Sequence, residues 1–202
     1  MIRTLLLPLG LTALLGGCSL LPEAEPVQTY LLPSLQPQAA SQAQPLARSL
    51  GIGRPQASLV LDSTRIAVVP QGSEISSYKG ARWSDPAPAL LRDRLLEAFQ
   101  ADGRFAALSS AEQHLQSDFV LAGNLLAFQS EYRDGKPEVV IRFDARLVRA
   151  DTQRVTASRS FVVRQPSRTV EVPAVVDAFG QASDQLAGQL VEWTTQRIQA
   201  EK

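Results

Sequence analysis

The clearest regularity in the chain is an alternation of apolar and polar side chains between Glu138 and Ala150. Val139, Ile141, Phe143, Ala145 and Leu147 fall on one side, and Arg142, Asp144 and Arg146 on the other. That period of two is the mark of a half-buried strand. Arg154–Arg164 repeats it, with Val155, Ala157, Phe161 and Val163 against Thr156, Ser158 and Ser160. Phe119–Tyr132 reads as a third strand ahead of them. Asp134-Gly135 and Asp151-Thr152 stand where tight turns belong. The three predict an antiparallel meander with one solvated face. After Pro173 the spacing changes: Val175, Phe179, Ala182, Leu186, Leu190 and Trp193 step by threes and fours. This is one apolar stripe of a long helix that packs on the sheet.

Upstream, Arg65–Pro70 predicts a buried strand and Glu74–Tyr78 a second short one, with Gln71-Gly72 between them as the turn. Ser84-Asp85-Pro86 predicts a helix start with a capping side chain and a proline in the first turn. That helix runs to about Asp102 with Leu91, Leu95, Ala98 and Phe99 on one face, and Gly103 ends it. Phe105–Leu108 reads as a short strand and Ser109–Gln116 as a helical turn holding His114. The expected fold class is therefore α/β of the α+β kind: a single domain with a mixed sheet, the meander within it, and two main helices packed on it.

The first residues follow another logic. Met1-Ile2-Arg3 is followed by an uncharged, mainly apolar stretch from Thr4 to Leu15. It is shorter than the ~20 residues a membrane-spanning helix needs and has the form of a signal peptide. Leu15-Gly16-Gly17-Cys18 follows directly and resembles the bacterial lipobox, with Gly16 a mild departure from the usual Ala or Ser. Small residues let an extended backbone enter a peptidase, and a thiol is the nucleophile that takes up diacylglycerol as a thioether. The chain has one Cys, and it stands where lipidation requires it, so Cys18 is the expected lipidation site. Between residues 19 and 56 lie six of the thirteen prolines and several Gln, with few charges beyond Pro33. Such a segment buries too little apolar surface to offset its ordering entropy. Composition thus divides the chain into a signal peptide (1–17), a lipidated Cys with a Pro/Gln-rich tether (18–56) and a domain (57–202). Val27–Leu32 reads as a short edge strand closed by Pro33, or else as part of the tether.

Charge and reactive residues narrow the function. Twenty basic and twenty acidic side chains give no net charge, which argues against a nucleic-acid partner. One Cys and one His cannot supply a structural zinc site, so no metal is expected. There is no Gly-x-Ser-x-Gly elbow and no phosphate-binding loop. His114 is the sole imidazole and lacks a neighbouring nucleophile in sequence. The expectation is a protein that is not an enzyme, with no catalytic residues and no cofactor. A working surface is sought instead at Tyr78, Arg82 and Trp83, since aromatic residues and Arg are enriched at binding hot spots. The competing reading of Trp83 is a core plug beside the helix start.

Arg65-Ile66-Ala67-Val68, Ser77-Tyr78, Ala81-Arg82-Trp83-Ser84-Asp85 and the Leu-rich helix ending Phe99…Gly103-Arg104-Phe105 together resemble one family. It is the ABC-type transport auxiliary lipoproteins, the PqiC-like group, and the likeness runs from Tyr30 to Trp193. The resemblance implies a non-catalytic auxiliary component of an MCE/ABC-type lipid transport system, moving phospholipid or a sterol-like lipid and maintaining the envelope. It implies an MCE-family protein and an ABC permease and ATPase as partners, and a homo-oligomer, since some members form rings. Ser19 after the lipidated Cys predicts transfer to the outer membrane of a Gram-negative bacterium, facing the periplasm, where Asp would predict retention in the inner one. The alternative is a structural or assembly lipoprotein that scaffolds another outer-membrane or cell-wall complex.

Overall fold

The computed structural model describes residues 26–33 and 45–201. The signal peptide, Cys18, Ser19 and most of the tether lie outside the described residues. Nine strands form one mixed sheet: β1 (Gln28–Tyr30), β2 (Leu46–Ile52), β3 (Gln56–Ala57), β4 (Arg65–Gln71), β5 (Glu74–Trp83), β6 (Phe105–Ser110), β7 (Phe119–Arg133), β8 (Lys136–Arg149) and β9 (Arg154–Pro166). Two helices, α1 (Ala87–Asp102) and α2 (Val172–Ala200), pack on it. This is the α+β architecture the patterning implies.

The spine of the sheet is β7. Along one side it pairs antiparallel with β8 over its whole length, and β8 pairs in turn with β9. Along the other side three short strands succeed one another, all parallel to it. Strand β2 meets Phe119–Leu121, β3 meets Asn124–Leu125 and β4 meets Gln129–Glu131. The β7–β8 turn carries positive φ at both Asp134 and Gly135, the primed geometry whose twist matches the flanking strands.

The core lies between the sheet and the helices. The stripe of α2 is fully buried there, from Val175 through Phe179, Leu186 and Leu190 to Trp193, beside Leu91, Leu95 and Phe99 of α1. Helix α1 begins without the predicted side-chain cap. Pro86 is its N-cap residue, and the Pro86 carbonyl accepts from Ala89 and Leu90. Gly103 ends the helix in the left-handed conformation that glycine adopts without steric cost.

Bulges account for two departures from simple alternation. In β7, Leu125 pairs with Phe143 and Ala127 with Arg142, so Leu126 is the extra residue and stands 49% exposed. The bulge restores Phe128 to the core face, where strict alternation would have pointed it outward. In the β8–β9 pairing, a register shift between Leu147 and Val148 turns Val155 to the outer face, 48% exposed. Val155 therefore does not share a face with Ala157, Phe161 and Val163 as its parity suggests.

The boundary drawn on composition also shifts. Leu46–Ile52, assigned to the tether, is a strand of the sheet between β6 and β7, and Leu50 and Ile52 are fully buried. Asp118 fastens it: its carboxylate accepts from the Ser49 backbone N–H and from the Ser49 hydroxyl, both at 2.7 Å, while the Asp118 N–H donates to Ser49 Oγ. The Ser49 N–H and hydroxyl hold the Asp118 carboxyl below its ordinary value, with Arg48 adding to the effect. A carboxyl lowered on folding contributes stability above its unfolded value of ~3.9, and the contribution is lost as pH falls through the lower folded value. Asp118→Asn is accordingly expected to shallow the loss of stability below about pH 4, read as urea midpoints at neutral and acid pH.

Candidate functional site

The three surface candidates all lie on β5, and two of them, Arg82 and Trp83, stand at the landing place of the chain's own amino-terminal strand. Strand β1 runs parallel to the end of β5, with Gln28 opposite Ala81, Thr29 opposite Arg82 and Tyr30 opposite Trp83. The Arg82 Nε–H donates to Thr29 Oγ1 at 3.0 Å, and the Ser84 N–H donates to the Tyr30 carbonyl at 2.8 Å. Arg82 is exposed and serves this strand. Tyr78 is half-buried and donates its phenol proton to Ser130 Oγ at 3.1 Å. Burial pushes the Tyr78 phenol up to about 12, so it remains a neutral donor. Trp83 takes the core-plug role. It is 1% exposed and meets Phe128 and Phe179 edge-on, with ring centroids 6.2 and 5.1 Å away.

Beyond β1 the segment ends in a clasp. Pro33 sits against Gly180 of α2, where even an added Cβ would come within 3.0 Å of the proline ring. The Pro33 carbonyl accepts from the guanidinium of Arg94 on α1, which also pairs with Asp184 on α2. Arg94 is 3% exposed. A guanidinium buried that deeply needs a carboxylate and further acceptors to hold its charge. Arg94 thus ties α1, α2 and the amino-terminal segment at one point. The sequence did carry a signal for it: a charged residue three after Leu91 and four before Ala98, on the apolar stripe of its helix. Pro33, Gly180 and Asp184 carry no such signal, because each acts only through partners distant in sequence.

Gly180→Leu is therefore expected to dislodge this strap while leaving the two-helix core in place. Overpacking of this kind costs ~1–3 kcal/mol. The loss is local, so the Ser84 amide should exchange with solvent at least about tenfold faster, with the core amides of β7 and β8 unchanged. Equal acceleration in both regions would show that the strap is integral to the fold.

Elsewhere the chemistry is sparse. His114 is exposed at the end of a short 3-10 turn, with φ at 55°. A shallow groove of about 510 Å³ opens beside Leu59, Val60, Arg65, Ala67 and Ile75. Neither presents an assembled nucleophile and base. The fold and its strap define the class: a sheet-and-two-helix body to which an amino-terminal segment is clasped.

The comparisons with known proteins give that class its family. Residues 30–191 match the family described as the ABC-type transport auxiliary lipoprotein component, and the chain belongs to it. That description is of an auxiliary component, not of a catalyst. The chain is similar to the crystal structure of a Xanthomonas campestris protein at 34% identity and a TM-score of 0.78, covering 85% of this chain and 97% of that one. A second crystal structure matches at 18% identity and a TM-score of 0.68, over 84% of this chain and 99% of the other, and shows the shared fold. A Bradyrhizobium diazoefficiens protein is 31% identical over 153 residues, which make up 75% of this chain. They span only 41% of that relative's length.

Proposed function

We propose that the chain is an outer-membrane lipoprotein, anchored through Cys18 and facing the periplasm, that serves as the non-catalytic auxiliary subunit of an MCE/ABC-type lipid transport system. Family membership supports the auxiliary role. The observation that carries the anchoring is the strap: ten residues after Cys18 the chain is already paired to β5 and then clasped by Arg94. A domain secured this close to a lipidated residue is held at the membrane surface. Two or more acyl chains make a stable anchor, at ~0.8 kcal/mol per buried CH₂. Arg82 then serves the strap first, and the partner surface lies elsewhere on the sheet.

Cys18→Ala is the direct test. The variant is expected to move from the outer-membrane fraction to the soluble periplasm. The parent protein, extracted from native membranes, is expected to bring down MCE and ABC subunits. An unchanged membrane distribution of the variant would overturn the anchor. Parent protein recovered in the outer membrane without either subunit would overturn the transport role and favour a scaffold of another envelope complex.

A further inference from the structure

The described sheet ends on one side at β9. Its inner side pairs with β8 from Arg154 to Pro166, and its outer side pairs with no described strand. Thirteen residues of free edge is long, since strands average about 5–6 residues. Such an edge offers a row of unpaired N–H and C=O groups to any extended chain, and natural edges are usually shortened, bulged or charged to prevent this. Here the charge is of one sign. Arg154, Arg159 and Arg164 recur at intervals of five, and β9 contains no Asp, Glu or Lys. All three are exposed. Arg164 meets Glu138 at 3.0 Å and Glu131 at 3.5 Å. Arg159 is steadied over the Phe161 ring, 4.9 Å from its centroid. Neither Arg154 nor Arg159 has a carboxylate partner among the described residues. Val155 and Val162, 48% and 55% exposed, lie along the same strand.

This pattern selects among occupants. Symmetric antiparallel pairing of β9 with a second copy centred on Arg159 would set that residue against itself. Neither strand would bring a carboxylate, and like charges directly opposed destabilise a strand pair. A phosphate-bearing surface would answer the guanidinium groups and leave the backbone row unused. An extended segment with acidic side chains answers both. We infer that β9 is a strand-addition site for an acidic, extended segment of another protein. The backbone ladder supplies affinity, and the arginines select the sign of charge. This inference stands apart from the lipid-anchor reading, since β1 and β9 occupy opposite margins of the sheet.

The test uses the detergent-solubilised full chain and two labelled peptides, one of five alternating Glu-Val pairs and one of five Lys-Val pairs. Anisotropy is expected to show binding of the Glu-Val peptide alone, weakening as salt screens the charges. Hydrogen exchange is expected to slow at β9 amides when that peptide is bound. In Arg154→Glu/Arg159→Glu, two exposed changes, affinity for the Glu-Val peptide should fall at least about tenfold while the Lys-Val peptide begins to bind. Slowed exchange at the same β9 amides with the Lys-Val peptide bound separates that gain from non-specific attraction to a misfolded variant. Equal binding of both peptides, unchanged binding by the double variant, or protection away from β9 would each overturn the site. Displacement of the peptide by phosphatidylglycerol vesicles, with no protection at β9, would identify the margin as a membrane-facing surface instead.

Discussion

Trp83→Ala is expected to lower the melting temperature by roughly 10–15 °C, the equivalent of about 3–5 kcal/mol for a chain of this size. The indole is the joint between three elements. It stands at the end of β5 and meets Phe128 from β7 and Phe179 from α2, each edge-on. Phe128 and Phe179 stack on each other with centroids 4.8 Å apart. Removing the indole opens a cavity that rigid strands on either side cannot collapse to fill. Its Nε1–H is buried without an acceptor, so Trp83→Phe gives up no hydrogen bond and should cost far less than alanine. Thermal melts of both variants check this. Near-equal losses would mean that ring contacts do not carry the stability at this position.

Gly123→Ala is the second large effect, although it adds a single methyl group. Gly123 faces the core on β7, and a Cβ there would lie 2.4 Å from Cζ of Phe143 and 2.5 Å from the carbonyl oxygen of Asp144. A ring can turn aside, but a carbonyl within a ladder moves only with its strand. The cost is expected to reach at least about 3 kcal/mol, the upper end of the usual overpacking range. Phe143→Leu relieves the ring clash and leaves the carbonyl, so the double variant should recover only part of the loss. A denaturant double-mutant cycle measures that coupling. Full recovery would show the backbone contact to be unimportant, and no recovery would show the same of the ring.

These positions also show where sequence patterning reaches its limit. The meander, the stripe of α2 and the extent of α1 follow from local spacing, because each presents one continuous apolar face to the core. Strand β2 does not. Its residues Leu46-Ala47-Arg48-Ser49-Leu50-Gly51-Ile52 stand among prolines and glutamines, and only the last three are buried. They are buried by parallel partners more than fifty residues away. Strand β5 extends to Trp83, five residues past the predicted Tyr78, because Lys79-Gly80-Ala81-Arg82 lies near the margin, largely open to solvent, and shows no alternation. The bulges at Leu126 and Thr156 break the period of two at points that only the register of the partner strand reveals. Of the candidate surface, the structure decides the role of Trp83 alone, which is buried in the core. Tyr78, Arg82 and Trp83 do gather on one strand, and what that strand receives first is the chain's own amino terminus.

The clasp at Pro33 gives the molecule two leash lengths. With β1 seated, ten residues separate Cys18 from Gln28, and the body can stand no more than about 35 Å from a lipidated Cys18. If Arg94 releases Pro33 and β1 peels from β5, the next described strand begins at Leu46. The leash then grows to twenty-eight residues and a limit of about 95 Å. On the proposed anchor through Cys18, the strap acts as a mechanical fuse: a ten-residue reach while it holds, and nearly threefold more once it gives way.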